Sequence, residues 1–218
     1  MSFDFSFLLR AVPLLAEGLT TTLALAIPAI ALSALWAVPV VIGLLSRSRA
    51  LAATARGYVE IVRNTPVLVQ MFFIFFGSGV LGYPLSGFIA GLVALVLQNG
   101  AYVAEIYRAG IQSVSHRQVE AGLAIGLLPS QAFRIVVLPQ ALRKVIPPLA
   151  NQGTLIIKDT SLVATISVAE LTFQARLLAD RTAAVFEIFV ALALFYLVLT
   201  TVFTLAMRLL EARVRVHQ

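Results

Sequence analysis

Lys158 and Asp159 are adjacent in a weakly apolar stretch that follows Pro147, Pro148 and Gly153. Neighbours on a helix point about 100° apart, so the two charges do not satisfy only each other. Charge inside an apolar span is costly and normally faces an interior cavity or a partner. Glu105 and Arg108 form a second charged set, three residues apart, which permits pairing along one helix face. Gln98, Asn99 and Tyr102 lie deeper in the same run. Together these groups suit binding: carboxylates accept, amides and hydroxyls donate. Interhelical hydrogen bonds would use the same groups with no ligand. Bond-making chemistry lacks its parts. There is no cysteine and no nucleophile–base pair, and His116 and His217 stand far apart without a carboxylate cluster.

The elements that hold these residues read as membrane-spanning helices. The chain has 218 residues, 60% hydrophobic and 12% charged, with a mean hydropathy of +0.97. A soluble domain of this size would carry about a quarter charged residues. The run 19–45 has no charge and exceeds the roughly 20 residues that cross a bilayer. Barrel-type alternation is absent, which leaves helices. Spans are expected over 19–45, 58–79, 85–111, 149–168 and 183–210, with Pro28 and Pro39 inside the first. Gly77, Gly79, Gly82 and Pro84 mark an uncharged turn. The expected fold is all-α and polytopic, a single domain over 1–218. Five spans do not divide into the two halves of an inverted-repeat transporter. The N-terminal stretch lacks the order of a cleaved signal peptide.

The net charge of +6 reads as topology, not nucleic-acid binding, because the basic residues collect between apolar runs. Arg47, Arg49 and Arg56 follow the first span, Arg117, Arg134, Arg143 and Lys144 the third, and Arg208, Arg213 and Arg215 close the chain. The other face has Arg10 near the N-terminus, and Arg176 and Arg181 in a loop that also holds Glu170 and Asp180. The N-terminus is therefore expected outside, the C-terminus and the gap 112–148 in the cytoplasm.

That gap contains EAGLAIGLLPSQAFRIVVLP, residues 120–139. A short helix is expected, capped by Ser115 with Gln118 three residues on. Gly122 and Gly126, four apart, would share a smooth face open to close approach. Pro129 should break the helix and start another that ends at Leu138 and Pro139, with Pro147 and Pro148 turning the chain back to the membrane. By itself this is a surface helix pair, a weak docking candidate.

The stretch resembles the Glu-Ala-Ala loop of permease subunits of ATP-binding-cassette importers. Glu120, Ala121, Gly126, Leu138 and Pro139 match that pattern, and Gly122 stands where alanine is usual. Three further segments resemble the polar amino acid permeases in order: 58–77, with Asn64 where glycine is usual, then 100–114 and 158–172. The resemblance covers about 15–210 and implies a bacterial inner-membrane, multi-pass permease for polar amino acids. It also implies a coupling helix carrying Glu120, Ala121, Gly122, Gly126, Leu138 and Pro139, docked on a dimer of separate ATPase subunits. Partners would be a second permease chain, same or related, an external binding protein and membrane lipid, with no nucleic acid. The chain lacks an ATP-binding Gly-rich loop, so it is expected to be no enzyme and to hold no cofactor, ATP and Mg belonging to the ATPase. Asp159, with Gln98, Asn99 or Thr160 as donors, would suit an amino acid's ammonium and carboxylate. Tyr102, Glu105 and Lys158 complete the candidate pathway. Glu60 and Arg63 would be gate residues or snorkelling anchors. An ion channel or secondary transporter would explain the charges but not the loop; a bare membrane anchor would need neither.

Overall fold

The computed structural model describes residues 5–182 and 184–214, with backbone only for 5–10 and 214. Arg215 and His217 lie outside the described residues. Every regular element described is helical: α1 (Phe5–Leu44), α2 (Arg49–Arg63), α3 (Val67–Val80), α4 (Gly87–Gln112), α5 (His116–Ala124), α6 (Pro129–Ala132), α7 (Leu138–Asp159), α8 (Leu171–Thr182) and α9 (Val185–Val214). A π-turn, Phe133–Val137, joins α6 to α7, and a 3-10 segment, Thr160–Ile166, follows α7. Among the described residues, three helices are each long and apolar enough to cross a membrane. The number reaches five if each bent pair is one span.

The expected second span is two helices. α2 and α3 meet at 101°. The break falls at Asn64, Thr65 and Pro66, where Asn64 amide groups bond back to the Glu60 carbonyl and Pro66 sets the start of α3. Proline has no N–H to continue the α2 ladder, so the chain turns there.

The expected helix end at Leu138–Pro139 is absent. The π-turn carries the chain through: the Leu138 N–H bonds to the Phe133 carbonyl, five residues back, and Pro139 takes the first turn of α7, where its missing N–H costs least. Pro147 and Pro148 lie inside α7 and do not mark a turn. They remove the donors that would meet the carbonyls of Arg143 and Lys144, a loss that packed neighbours absorb in a bundle.

α4 is the central helix. Its small residues Ala90, Ala94, Ala101 and Ala104 are buried. Small residues let backbones approach where no hydrophobic effect drives association in lipid. At Gly100 this is explicit: a Cβ there would stand 2.5 Å from the Trp36 ring of α1. At the far end of α1 an added Gly18 Cβ would lie 2.7 Å from the Leu171 Cα. α8 therefore starts directly on the α1 backbone.

Candidate functional site

The loop joining α4 to α7 forms a closed helical hairpin. Ser115 precedes α5, but its side chain makes no cap. The Gln118 amide bonds to the Ser115 carbonyl instead, at 3.0 Å, so the expected capping box does not form. Glu120 is exposed and pairs with His116 Nδ1 at 3.0 Å, one turn back. Histidine and glutamate four apart is a helical spacing legible in the sequence. Ala121 is exposed and Gly122 buried.

Gly126 does not share a helix face with Gly122. It ends α5 with φ +91°. The Gly126 N–H bonds to the Leu123 carbonyl and the Leu127 N–H to the Gly122 carbonyl, the paired bonds of a Schellman stop. Glycine is needed here because a side chain at positive φ is strained. Gly122 points into the hairpin, where an added Cβ would meet Leu127 Cδ1 at 3.4 Å and Val136 Cγ2 at 3.5 Å. The outer surface belongs to other residues: Ile125 is 81% exposed and Leu128 62%. The return limb starts with the Gln131 side chain accepting from the Leu128 N–H at 2.8 Å. Leu138 and Pro139 are exposed on the stem of α7. Lys144 Nζ donates to the Ser113 carbonyl at 2.7 Å, which ties that stem to the end of α4.

A second polar set crosses the middle of α4. Asn99 is nearly fully buried, accepts from Gln152 Nε2 at 2.7 Å and donates to the Leu95 carbonyl at 2.9 Å. Gln98 accepts from Gln70 Nε2, which also reaches the Val62 and Thr65 carbonyls at 2.9 and 3.1 Å. Nearby, Trp36 Nε1 donates to the Tyr58 hydroxyl at 2.8 Å, which donates to the Leu97 carbonyl at 2.7 Å. These bonds join α1, α2, α3 and α7 to α4 at residues 97–99. Sequence reasoning misses Gln70, Gln152 and Tyr58, although single amides in apolar runs are the signal for such belts.

Arg63 stands over the Tyr102 ring, 5.0 Å from its centroid. Glu105 pairs with Arg108, whose Nε lies 3.2 and 3.3 Å from its oxygens, and Arg108 reaches Gln112 at 2.9 Å. Pairing along one face is therefore realised. Lys158 is exposed and Asp159 half-buried, and neither forms an ion pair with the other or with Glu105. The Thr160 hydroxyl donates to the Ile157 carbonyl at 2.7 Å, so its proton is already used.

Glu170, expected in a mixed-charge loop, is instead fully buried. Its carboxylate accepts from the Phe173 N–H at 2.8 Å, the Tyr196 hydroxyl at 3.0 Å and Thr22 Oγ1 at 3.5 Å. Thr22 in turn accepts from the Leu171 N–H at 3.1 Å. The cause is local: Glu170 caps α8, where free N–H groups need an acceptor, and α8 is pressed against α1.

Residues 29–216 match the model of the binding-protein-dependent transport system inner membrane component family. The chain is 38% identical to the glutamine transport system permease protein GlnP of Escherichia coli (strain K12), over 99% of this chain and 100% of that one. It is 37% identical to the nopaline transport system permease protein NocM of Agrobacterium fabrum, over 95% and 90%. A crystal structure of an amino acid ABC transporter with histidines superposes with a TM-score of 0.92 at 35% identity, covering 98% of this chain and 100% of that one. The MetNI methionine ABC transporter shares the fold, with a TM-score of 0.79 at 19% identity, over 93% of this chain and 97% of that one. With an all-helical fold, candidate membrane spans and a match over most of its length, this chain belongs to the family of inner-membrane components of binding-protein-dependent transport systems.

Proposed function

We propose that this chain is the permease subunit of an ABC importer that moves polar amino acids into the bacterial cytoplasm. The observation that carries the reading is the hairpin between α4 and α7. It presents Ala121 outward on a helix stopped by Gly126, with Ile125 and Leu128 exposed on either side of that stop, and its stem is continuous with α7. A rigid exposed apolar tip is what a groove on another protein would hold, and a continuous stem passes motion into the bundle. The occupant of that role is a pair of ATPase subunits, which bind ATP and Mg while this chain holds neither. The named relatives, glutamine and nopaline permeases, support amino acids as the cargo.

The whole chain 1–218 acts as one domain, its N-terminus outside and its C-terminus in the cytoplasm, alongside a second permease chain and an external binding protein. Within the bundle, Asp159 is the acceptor for the cargo's ammonium, since its half-buried carboxylate has no hydrogen-bond partner among the described residues. Asn99 and Thr160 serve the frame, because their polar atoms are engaged within the chain. The test is uptake of labelled glutamine into vesicles that hold the permease, its ATPase and ATP, with the binding protein outside. Uptake that persists when the ATPase is inactivated overturns the proposal.

A further inference from the structure

Arg49, Arg56 and Arg63 recur every seven residues and share one strip of α2, apart from Ala52 and Val59 on its buried face. All three are exposed, and none joins an ion pair among the described residues. Glu60 shares the strip and pairs with neither neighbour, so the strip is net basic. The strip also gains depth along its length. Ala55 sits against the last turn of α1, where a Cβ on Gly43 would stand 2.8 Å from its own. Two turns on, Arg63 lies over the Tyr102 ring. Gln112 ends α4 ten residues beyond Tyr102, about 15 Å along the axis. Because α4 is apolar enough to span a membrane, Arg63 stands inside the span and not at its end, where a snorkelling anchor belongs.

Unpaired guanidiniums at membrane depth are costly against lipid and face water or an anion instead. Lipid suits other surfaces, such as the exposed Leu194, Leu197, Val198 and Val202 of α9. The order along the bundle is also defined. α4 and α7 run antiparallel, with Gly91 against Val163 and Asn99 bonded to Gln152. Asp159 therefore lies on one side of the Asn99 belt, and Tyr102 with Arg63 on the other, toward the hairpin.

We propose that this strip walls the inner half of the cargo pathway: Arg63 receives the cargo's carboxylate after Asp159 releases its ammonium, and Arg56 and Arg49 pass it to the cytoplasm. The inference rests on the importer reading above and adds a charge rule to it. A wall of one sign concentrates ions of the other about tenfold or more in a water-filled cleft. The passage therefore favours cargo with a free carboxylate and no net positive charge. The arginine fork of donors fits a carboxylate, while Tyr102 holds Arg63 in place.

The chain has no cysteine, so Ala53→Cys, exposed on the strip between Arg49 and Arg56, supplies one thiol. Anionic and cationic methanethiosulfonate reagents are compared on the assembled permease–ATPase complex in liposomes, with adducts on this chain read by mass spectrometry. Relative to their rates with a free thiol, the anionic sulfonate should react about tenfold faster than the cationic trimethylammonium reagent. Arg56→Gln should remove most of that preference. Equal relative rates, no reaction with either reagent, or a disulfide between two copies at position 53 overturns the proposal. At saturating binding protein, Arg63→Gln should lower ATP-driven uptake of labelled glutamine about tenfold, and Arg63→Lys should recover part of it. Equal loss in both variants assigns Arg63 to packing on Tyr102 and refutes the carboxylate role. Uptake that ignores the ATPase sinks the importer reading, whereas ATP-driven uptake with equal reagent rates sinks the charge rule alone.

Discussion

The Tyr196 hydroxyl of α9 donates to the Glu170 carboxylate at 3.0 Å, in a place where Glu170 has no exposed surface. This one bond links the last long helix to the cap of α8. Through Thr22 the same carboxylate reaches α1. Three helices therefore depend on one acidic side chain, away from the loop and away from Asp159.

Removing that acceptor should cost stability before it costs transport. Glu170→Ala leaves the Phe173 N–H without its acceptor and the Tyr196 hydroxyl with Thr172 alone, and a buried orphan costs about 1–3 kcal/mol. Tyr196→Phe removes a single donor and should cost less. Thermal unfolding in detergent ranks the two. A Glu170→Ala variant that unfolds at the wild-type temperature contradicts the buried network.

The two loop glycines should respond in opposite directions. Gly122→Ala adds a methyl group at ordinary contact distance, 3.4 Å from Leu127, and should stabilise α5 by about 0.5–1 kcal/mol. Gly126→Val forces a β-branched residue into φ +91°, at a cost of roughly 1–2 kcal/mol. The loop should then fray, with ATPase activity no longer matched to uptake. Hydrogen exchange over 116–128, measured for both variants, reads the difference directly.

Ile125 should be the anchor of the docking surface, being the most exposed large apolar residue of the hairpin at 81%. Buried apolar anchors at interfaces carry about 2 kcal/mol or more. Ile125→Ser should therefore weaken ATPase association by about thirtyfold while the permease still inserts. Pull-down of the ATPase at graded concentrations measures this. Wild-type affinity in the variant assigns docking to some other part of the chain.

Asp159→Asn should spare assembly and ATPase docking but impair uptake. Loss of a charge-assisted contact costs about 1.5–3 kcal/mol, or roughly ten- to a hundredfold in apparent affinity. Asn99→Leu should behave differently: it orphans the Gln152 amide and lowers thermal stability. A full uptake curve beside an unfolding curve distinguishes the two roles.

Much of this architecture is legible in the chain because hydrophobic length is a strong signal. The expected spans at 85–111 and 183–210 fall almost on α4 and α9. The second span misleads because hydropathy does not register direction: 58–79 is apolar enough to cross, yet Pro66 separates two helices at 101°. The loop misleads in a similar way. Proline at 139 reads as a stop, but a π-turn five residues long lets the helix run on. Gly126 matches the family pattern for a reason its spacing does not reveal, since φ is not written in the order of residues.

Composition alone was enough to make this an all-helical membrane chain, because a bilayer demands internal hydrogen bonds over long apolar runs whatever their partners. It was also enough, with the loop motif, to indicate the family. Which polar residues are spare was decided only by packing. Glu170 looks solvated beside Arg176 and Asp180 and is buried because α8 begins against Gly18 of α1. Asn99 looks available and is engaged by Gln152, distant in sequence. Lys158 and Asp159 diverge on their helix as neighbours must, but only the packed bundle decides that neither meets Glu105. A side chain's partners come from contacts between helices far apart in the chain, and no local spacing encodes them.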